Sequence, residues 1–459
     1  MTNREKLFYH YLTVAFVVTV LMGGFSTRLY AQEAGGNVSE KITLDQCITY
    51  ALDNQPVLKK AKLGQEISEK EVKIALSGWL PQVNANFDLQ HFLKQPVTLL
   101  PDFTDPSGPR QEVTMGVKNT STLGISATQI LYGNDVMLAG KTAKDYRLEA
   151  SQQIESVKID VVVSVSKAYY QVLITQQRLE LLDENIQRLE KNLRDAQSRY
   201  ESGLADNIDY KRATIALNSA KVEKITAVES LKVQYASLKQ LMGYPSEQSL
   251  EVSMDVNAME TAVPLKENQQ TTDFSNRIEY KLLQTNKRLV NASVQYYNRD
   301  FLPTVSAFVN YNWAYQNDEF AKLYNRNFPN SVVGLKATVP LFTGLRRLRN
   351  VQKSKLQYMQ LESEEENLVN QMNTEHVQAM ATYRSALEAY QTSKENYELA
   401  QEVYETVQLQ YNQGIKAYLE VIVSETDLRS SQLNYLNALL NVLSSKLDVQ
   451  KALGTVPVS

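Results

Sequence analysis

The sequence predicts a mainly α-helical protein that also contributes strands to a membrane β-barrel, with this arrangement occurring twice along the chain. Three observations lead to this prediction. Short landmarks recur at a spacing of roughly 210 residues, each repeat contains two stretches of alternating apolar and polar residues, and each then continues into a long heptad pattern without proline. The 459 residues include only 17 glycines and 12 prolines, a composition typical of a helix-rich chain.

The first 31 residues have the parts of a secretory signal peptide. Arg4 and Lys6 precede an apolar run from Leu12 to Phe25, and small and polar residues follow up to Ala31. This run has 14 residues, fewer than the ~20 that a membrane-spanning helix needs, so a single-span anchor is less favoured. We expect residues 1–31 to be a signal peptide. The formal net charge of −3 gives no indication of nucleic-acid binding.

The chain divides into two similar units. Leu80-Pro81 in the first half corresponds to Leu302-Pro303 in the second, and GISATQILYG is echoed by GLKATVPLFTG. Because these landmarks recur in the same order, we predict a first repeat at 32–243, a second at 277–459 and an equatorial linker region at 244–276.

Each unit opens with two predicted strands, in which apolar and polar residues alternate. Polar loops are expected between the paired strands, at Lys94 to Lys118 and at Gln316 to Asn330. Open sheet edges are not tolerated in lipid, so several copies must complete the sheet, and three copies would give twelve strands. A soluble sandwich is less favoured because no other segment supplies a second sheet. The predicted strands are about 82–93, 119–131, 304–315 and 331–342.

A long helical hairpin is predicted after each strand pair, at about 134–242 and 345–453, with Gly203 and Gly414 at the turns. Apolar residues at alternating steps of three and four predict coiled-coil seams. On the first hairpin this seam comprises Leu182, Ile186, Leu189, Leu193, Ala196 and Tyr200. The last helix carries a second apolar stripe, which indicates neighbours on both sides, as in a ring of helices.

With these features the chain resembles the TolC-type outer membrane efflux protein family, the outer membrane factors. The motifs that support the resemblance are ITLDQCITYALDNQP, the two Leu-Pro strand entries, VPLFTG and the two Tyr-x-x-Gly hairpin turns. The resemblance covers essentially all of the chain after the predicted signal peptide. It implies a homotrimer with a 12-stranded outer-membrane barrel that continues into an α-helical periplasmic tube.

The resemblance implies a trimeric exit duct of a tripartite efflux system in the outer membrane of a Gram-negative bacterium, with a large periplasmic part. Its partners would be a periplasmic adaptor (membrane fusion protein), an inner-membrane transporter of the RND, ABC or MFS type, and outer-membrane lipid. The cargo would be drugs or metal ions. Two alternatives stay open: the outer-membrane channel of a type I protein secretion system, and a soluble periplasmic coiled-coil scaffold.

By the same resemblance, the hairpin turns would contact the adaptor and the residues beside them would close the periplasmic end. Tyr411 and Asp209 would form a cross-hairpin link, and Lys416 would be the basic residue of a second link. The usual hydroxyl partner of that second link falls on Ile208, which leaves Asp206 as a substitute. The residues expected at the adaptor contact are Tyr200, Gly203, Leu204, Tyr411, Gly414 and Ile415.

Glu420 completes the predicted periplasmic gate as an acidic constriction ring, with three carboxylates per trimer. One helical turn further on, where a second acid would be expected, the chain has Val423, so the ring is less charged than a two-acid ring. Acids clustered in a constriction attract cations and repel anions. The alternative for Glu420 is an ordinary solvated helix face.

No catalytic, cofactor-binding or metal-binding site is predicted. Cys47 is the only cysteine and lies in an amphipathic segment, where a buried apolar role is expected. His91 and His376 lie in unrelated segments, and neither an HExxH nor a GxxxxGK motif is present. The S-x-x-K match at 164–167 lies within a predicted helix and lacks its companion motifs. We therefore expect no enzyme activity and no cofactor.

Overall fold

Most of the described chain lies in two long helical hairpins and one four-stranded sheet. The computed structural model describes residues 41–101, 109–203, 206–252, 256–265 and 274–457, so the predicted signal peptide lies outside the described residues. The helix-rich fold with helical hairpins that the sequence predicts is confirmed.

The first unit runs from two consecutive helices through four strands into the first hairpin. Its elements are α1 (Leu44–Asn54), α2 (Pro56–Leu76), β1 (Gln82–His91), β2 (Val97–Leu100), β3 (Gln111–Thr114), β4 (Asn119–Tyr132), α3 (Asn134–Glu201) and α4 (Asn207–Met242). A short helix, α5 (Val256–Thr261), lies between the units. The second unit contains α6 (Ile278–Asn298), β5 (Thr304–Asn317), β6 (Asn327–Thr338), α7 (Arg346–Asn412) and α8 (Tyr418–Leu453).

The main sheet is antiparallel with strand order β1-β4-β5-β6, so the pairing of β4 with β5 joins the two units. Ser126 pairs with Asn310 at this junction, and a bulge interrupts the ladder between Ile130 and Tyr132. The outer strands β1 and β6 each have one neighbour in the described chain. Both carry exposed apolar residues, including Phe87 and Leu335. A sheet with open, apolar edges offers pairing sites to further strands.

The loop predicted at Lys94 to Lys118 is partly wrong, because it contains a second, two-stranded sheet formed by β2 and β3. The prediction relied on the prolines of this segment. Pro96 precedes β2, and Pro101 follows it, so neither proline removes a hydrogen bond from the ladder. The ladder extends past the strands, since the Met115 N–H donates to the Pro96 carbonyl at 3.0 Å.

Each hairpin has a long arm and a short arm, and the corresponding arms of the two hairpins are nearly equal in length. α3 and α7 have 68 and 67 residues, which corresponds to about 100 Å of helix, while α4 and α8 have 36 residues each. Within the described ranges, the structure contains no helix that is both long and apolar enough to cross a membrane.

The seam predicted on the first hairpin needs a correction near the turn. Asn185 and Asn192 are buried there, whereas Ile186 and Leu193 are only half-buried. Tyr200, which the seam also included, is exposed. The two asparagines are buried because their side-chain amides donate hydrogen bonds to Glu425, a buried acid of the second hairpin.

The largest apolar core lies where the equatorial linker region packs on the hairpins. Cys47, Met242 and Leu439 are fully buried there, which agrees with the apolar role expected for Cys47. The linker is held to the second hairpin by Glu260, which accepts hydrogen bonds from Lys394 at 2.9 Å and from the Tyr435 hydroxyl at 2.5 Å.

Both short arms end in the same way. Gly243 ends α4 with φ +67° and lies against the backbone of Asn54 and Gln55, at the junction of α1 and α2. Gly454 ends α8 with φ +66° and lies against Arg277, the residue before α6. Each glycine is in the left-handed conformation that ends many helices, and each lies close to the backbone of the neighbouring segment just described.

Candidate functional site: the ends of the helical hairpins

A glycine turns the chain at the end of each long arm. Gly203 has φ +73° and Gly414 has φ +78°, which an alanine would adopt only with strain. After α7, the N–H of Gly414 donates to the Tyr411 carbonyl and that of Ile415 to the Gln410 carbonyl, both at 2.9 Å. A Cβ added at either glycine would have no described atom within 4 Å, so the backbone conformation alone requires glycine. Leu204 lies outside the described residues.

The two turns differ in how the next helix begins. Asp206 caps α4, since its Oδ1 accepts a hydrogen bond from the Ile208 N–H at 3.3 Å. The equivalent residue before α8 is Ala417, which offers no side-chain cap. Asp206, the substitute acceptor predicted for Lys416, therefore has a local structural role in the first turn.

A cluster of rings joins the two hairpins above the turns, and we call it the tip core. It consists of Ala196 and Ala213 from the first hairpin and Tyr404, Tyr411, Tyr418, Val421 and Leu428 from the second. The two alanines leave room for the three buried tyrosines. The ring centroids of Tyr411 and Tyr418 are 5.6 Å apart. The hairpins are thus held together at this level by packing of the tyrosines of one hairpin on the alanines of the other.

Tyr411 contacts the first hairpin through Arg199, whose guanidinium carbon lies 4.6 Å from the ring centroid. Burial raises the pKa of Tyr411. The charge of Arg199 opposes this rise, and the charge of Asp209 adds to it. Among the described residues, the single chain has no hydrogen bond between Tyr411 and Asp209. Their cross-hairpin link stays a prediction, while the cation–π contact of Arg199 is the connection that the chain forms.

Lys416 and Glu420 form an ion pair with each other, with 2.5 Å between Nζ and Oε2. They lie four residues apart, one helical turn, and both side chains are partly exposed. A pair of this kind contributes little to stability. Its effect is on charge, because the Glu420 carboxylate has a lysine beside it.

Several apolar side chains beside the turns are exposed. Ile208 follows the first turn, and Ile415, Leu419 and Val423 follow the second; Ile415 is 67% exposed. Tyr200 is also exposed and stacks on Tyr210 across the first turn, with ring centroids 6.5 Å apart. Apolar side chains that are exposed together at the hairpin turns are typical of a contact surface.

Sequence reasoning missed Glu425, a buried acid 11 residues beyond Gly414. It is 5% exposed and accepts hydrogen bonds from the side-chain amides of Asn185 at 3.2 Å and Asn192 at 3.4 Å. Burial raises its pKa to about 7, although Arg188, Asn192 and Arg429 lower it. The signal was present in the sequence, since Glu425 occupies a seam position between Val421 and Leu428.

The described part of the chain has no group of three or more His, Cys, Asp and Glu side chains that could hold a metal ion. The described side chains at the tips contribute apolar packing, ion pairs and hydrogen bonds.

Residues 47–244 and 282–455 match the outer membrane efflux protein family. The curated outer membrane protein TolC of Vibrio cholerae is 23% identical over 331 residues, which is 69% of this chain and 69% of that protein.

Solved structures share the fold at low sequence identity. The outer membrane protein VceC of Vibrio cholerae matches with a TM-score of 0.69 at 16% identity, over 90% of this chain and 96% of that chain. The MtrE outer membrane channel of Neisseria gonorrhoeae, solved in its open state, matches with a TM-score of 0.70 at 18% identity, over 90% and 88%. At these identities the likeness shows the fold alone.

Proposed function

We propose, because the chain belongs to the outer membrane efflux protein family, that three copies form an exit duct for small molecules such as drugs or metal ions. An inner-membrane pump of the RND, ABC or MFS type would deliver them through a periplasmic adaptor, as part of a tripartite efflux system. The family consists of outer-membrane efflux proteins and not of enzymes.

The observation on which this proposal rests is that both hairpin turns lie together at the end of the long arms. The tip core joins the two turns, and α3 and α7 supply about 100 Å of helix between that end and the sheet. Such a chain has one end suited to lipid and the other end suited to a partner in the periplasm.

The open sheet supports a trimer. β1 and β6 each have a free edge in the described chain, and their exposed residues include Val83 and Val333. Four strands are too few to close a barrel, whereas three copies would supply twelve. We infer that the edges pair between copies, with lipid around the outside.

The tips support an adaptor contact and a gate. Tyr200 and Ile415 present exposed apolar surface beside Gly203 and Gly414, which fits a docking surface. In the gate that we propose, Tyr411 and Asp209 link neighbouring hairpins, and Glu420 forms the constriction ring.

Replacing Tyr411 with Phe and Asp209 with Ala is expected to open the periplasmic end more often. The ring of Phe still packs under Arg199, so the double variant removes the proposed link and keeps the tip core. A lost hydrogen bond of about 1 kcal/mol shifts a closed–open equilibrium about fivefold. Single-channel recording of the purified trimer in planar bilayers measures open probability and conductance.

Tyr200→Phe is the matched control, because Tyr200 precedes Gly203 as Tyr411 precedes Gly414 but lies outside the tip core. It should leave the currents unchanged. Unchanged open probability and conductance in the double variant would rule out this gate. Failure of the wild-type protein to form any channel would rule out the duct.

The pairing of Lys416 with Glu420 gives a prediction for ion selectivity. Glu420→Gln should lower the preference for cations, and Lys416→Gln should raise it, because the lysine offsets the acid of its own chain. We expect a change in the cation-to-anion permeability ratio on the order of twofold in each direction. Reversal potentials in a salt gradient measure this ratio.

Glu388→Gln, on an exposed face of α7 far from the turns, serves as the control for charge removal in general. Reversal potentials that stay the same in Glu420→Gln would show that the acid lies on an ordinary solvated face.

A further inference from the structure

Glu425 belongs to the second hairpin but is held by the first. The amide groups of Asn185 and Asn192, seven residues apart on α3, donate to Oε1 and Oε2 of its carboxyl group. The carboxyl and both amides are buried, at 5%, 2% and 5% exposure. This contact is therefore a buried polar link between α3 and α8.

One acceptor of this link has no hydrogen-bond donor. Asn185 Oδ1 is buried and has no hydrogen-bond donor among the described residues, although the Nδ2 of the same amide donates to Glu425. An ionised carboxylate offers only acceptors, so it leaves this oxygen unsatisfied. A protonated carboxyl has an O–H, which would donate to the amide oxygen while the amide N–H donates back. The neutral acid thus completes the hydrogen bonding of the site.

The charges that face Glu425 do not form an ion pair with it in the described chain. Arg188 approaches from α3 and is paired with Glu184 at 3.7 Å. Arg429, on the same helix as Glu425, is paired at 3.2 Å with Glu223 of α4. The other titratable groups nearby are Tyr404 of α7 and Tyr418 of α8.

We propose that Glu425 is a proton-dependent link between the two hairpins: the neutral acid holds α3 and α8 together, and loss of its proton loosens them. The proposed duct function enters only in the last step, in which looser hairpins open the periplasmic end more readily. The chemistry itself is a single proton binding to one carboxylate.

The direction of the pH effect follows from the pKa of Glu425, which burial raises from 4.5 to about 7. Between these two values the folded protein keeps a proton that the unfolded chain has lost. The stabilisation from this group is thus complete below pH ~4.5, falls as the pH rises through about 7, and is absent above it.

The test uses the full-length protein at pH 5.5 and pH 8, with Glu425→Gln as the neutral, isosteric variant. Asp427→Asn is the matched control, because Asp427 lies two residues away on an exposed face of the same helix. Infrared difference spectroscopy follows the neutral carboxyl group. Spin labels at Ser198 of α3 and Glu405 of α7, both exposed, report the separation of the hairpins.

We expect a neutral carboxyl in the wild-type protein that disappears between pH 5.5 and pH 8, together with a broader distance distribution at pH 8. Glu425→Gln should remove both changes, and Asp427→Asn should retain both. In planar bilayers we expect the wild-type open probability to rise severalfold from pH 5.5 to pH 8, because the ionised acid no longer completes the hydrogen bonding between the hairpins.

An infrared signal that persists in Glu425→Gln, or spin-label distances that do not change with pH, would overturn the link. Absence of current in every variant would count against the duct only, since the spectroscopic results do not depend on it. If Glu425→Gln does not fold, Asn192→Ala gives the second test. The Asn192 amide donates to the carboxyl and lowers its pKa, so its loss should move the titration to higher pH, and an unmoved titration would contradict the proposed link.

Discussion

Replacing Gly243 with alanine is expected to destabilise the protein by about 3 kcal/mol, because two separate costs combine at this residue. Its φ of +67° is unfavourable for any residue with a Cβ. In addition, a Cβ would lie 2.8 Å from the Asn54 carbonyl oxygen and 3.0 Å from the Gln55 Cα. Both neighbours are backbone atoms of the α1–α2 junction, so they have little freedom to move away.

Gly414→Ala provides the comparison that separates these costs. Its φ of +78° carries the same kind of strain, but no described atom lies within 4 Å of the added Cβ. We expect a loss of about 1 kcal/mol, from backbone strain alone. Urea unfolding of both purified variants, followed by circular dichroism, measures the difference. Equal losses would show that the α1–α2 junction yields to the extra atom.

Replacing Tyr418 with alanine is expected to cost about 4 kcal/mol, the usual range for deleting a buried aromatic ring. Tyr418 is buried at the centre of the tip core, against Tyr411. Removing only its hydroxyl should have the opposite consequence. The Tyr418 oxygen is buried and has no hydrogen-bond partner among the described residues, so Tyr418→Phe is expected to be neutral or to stabilise by up to ~1 kcal/mol.

Thermal unfolding of wild type, Tyr418→Phe and Tyr418→Ala, under identical detergent and protein concentrations, gives the order of stability. We expect Phe to be at least as stable as wild type and Ala to be much less stable. A destabilised Phe variant would reveal that the hydroxyl is hydrogen-bonded in the assembled protein.

Periodicity predicted the helix-rich fold because the signal is repeated along arms of 68 and 67 residues. The family was also predicted from the sequence, and the matches confirm it. Shorter elements gave weaker signals. The strands β2 and β3 have four residues each, which is too short for an alternating pattern to be recognised. The prolines around them also favoured a loop.

The buried polar link was missed for a different reason. Asn185, Asn192 and Glu425 are polar, and polar side chains are usually exposed, so the seam position of Glu425 alone did not indicate that it is buried. Their burial depends on meeting one another across two hairpins more than 200 residues apart in sequence. The spacing of Lys416 and Glu420 is the i,i+4 spacing of a helical ion pair, but the resemblance implied a different partner for Lys416, for which Asp206 was the substitute.

The equal lengths of the short arms place the two turns at the same distance from the sites where these arms end. Each arm has 36 residues between an equatorial glycine and a turn glycine, or about 54 Å of helix. A heptad inserted into one hairpin alone would carry its turn about 10 Å past the other and separate the alanines of one from the tyrosines of the other. Descendants of such a protein can therefore change the length of the hairpins only by lengthening both together, which links the evolution of the two halves.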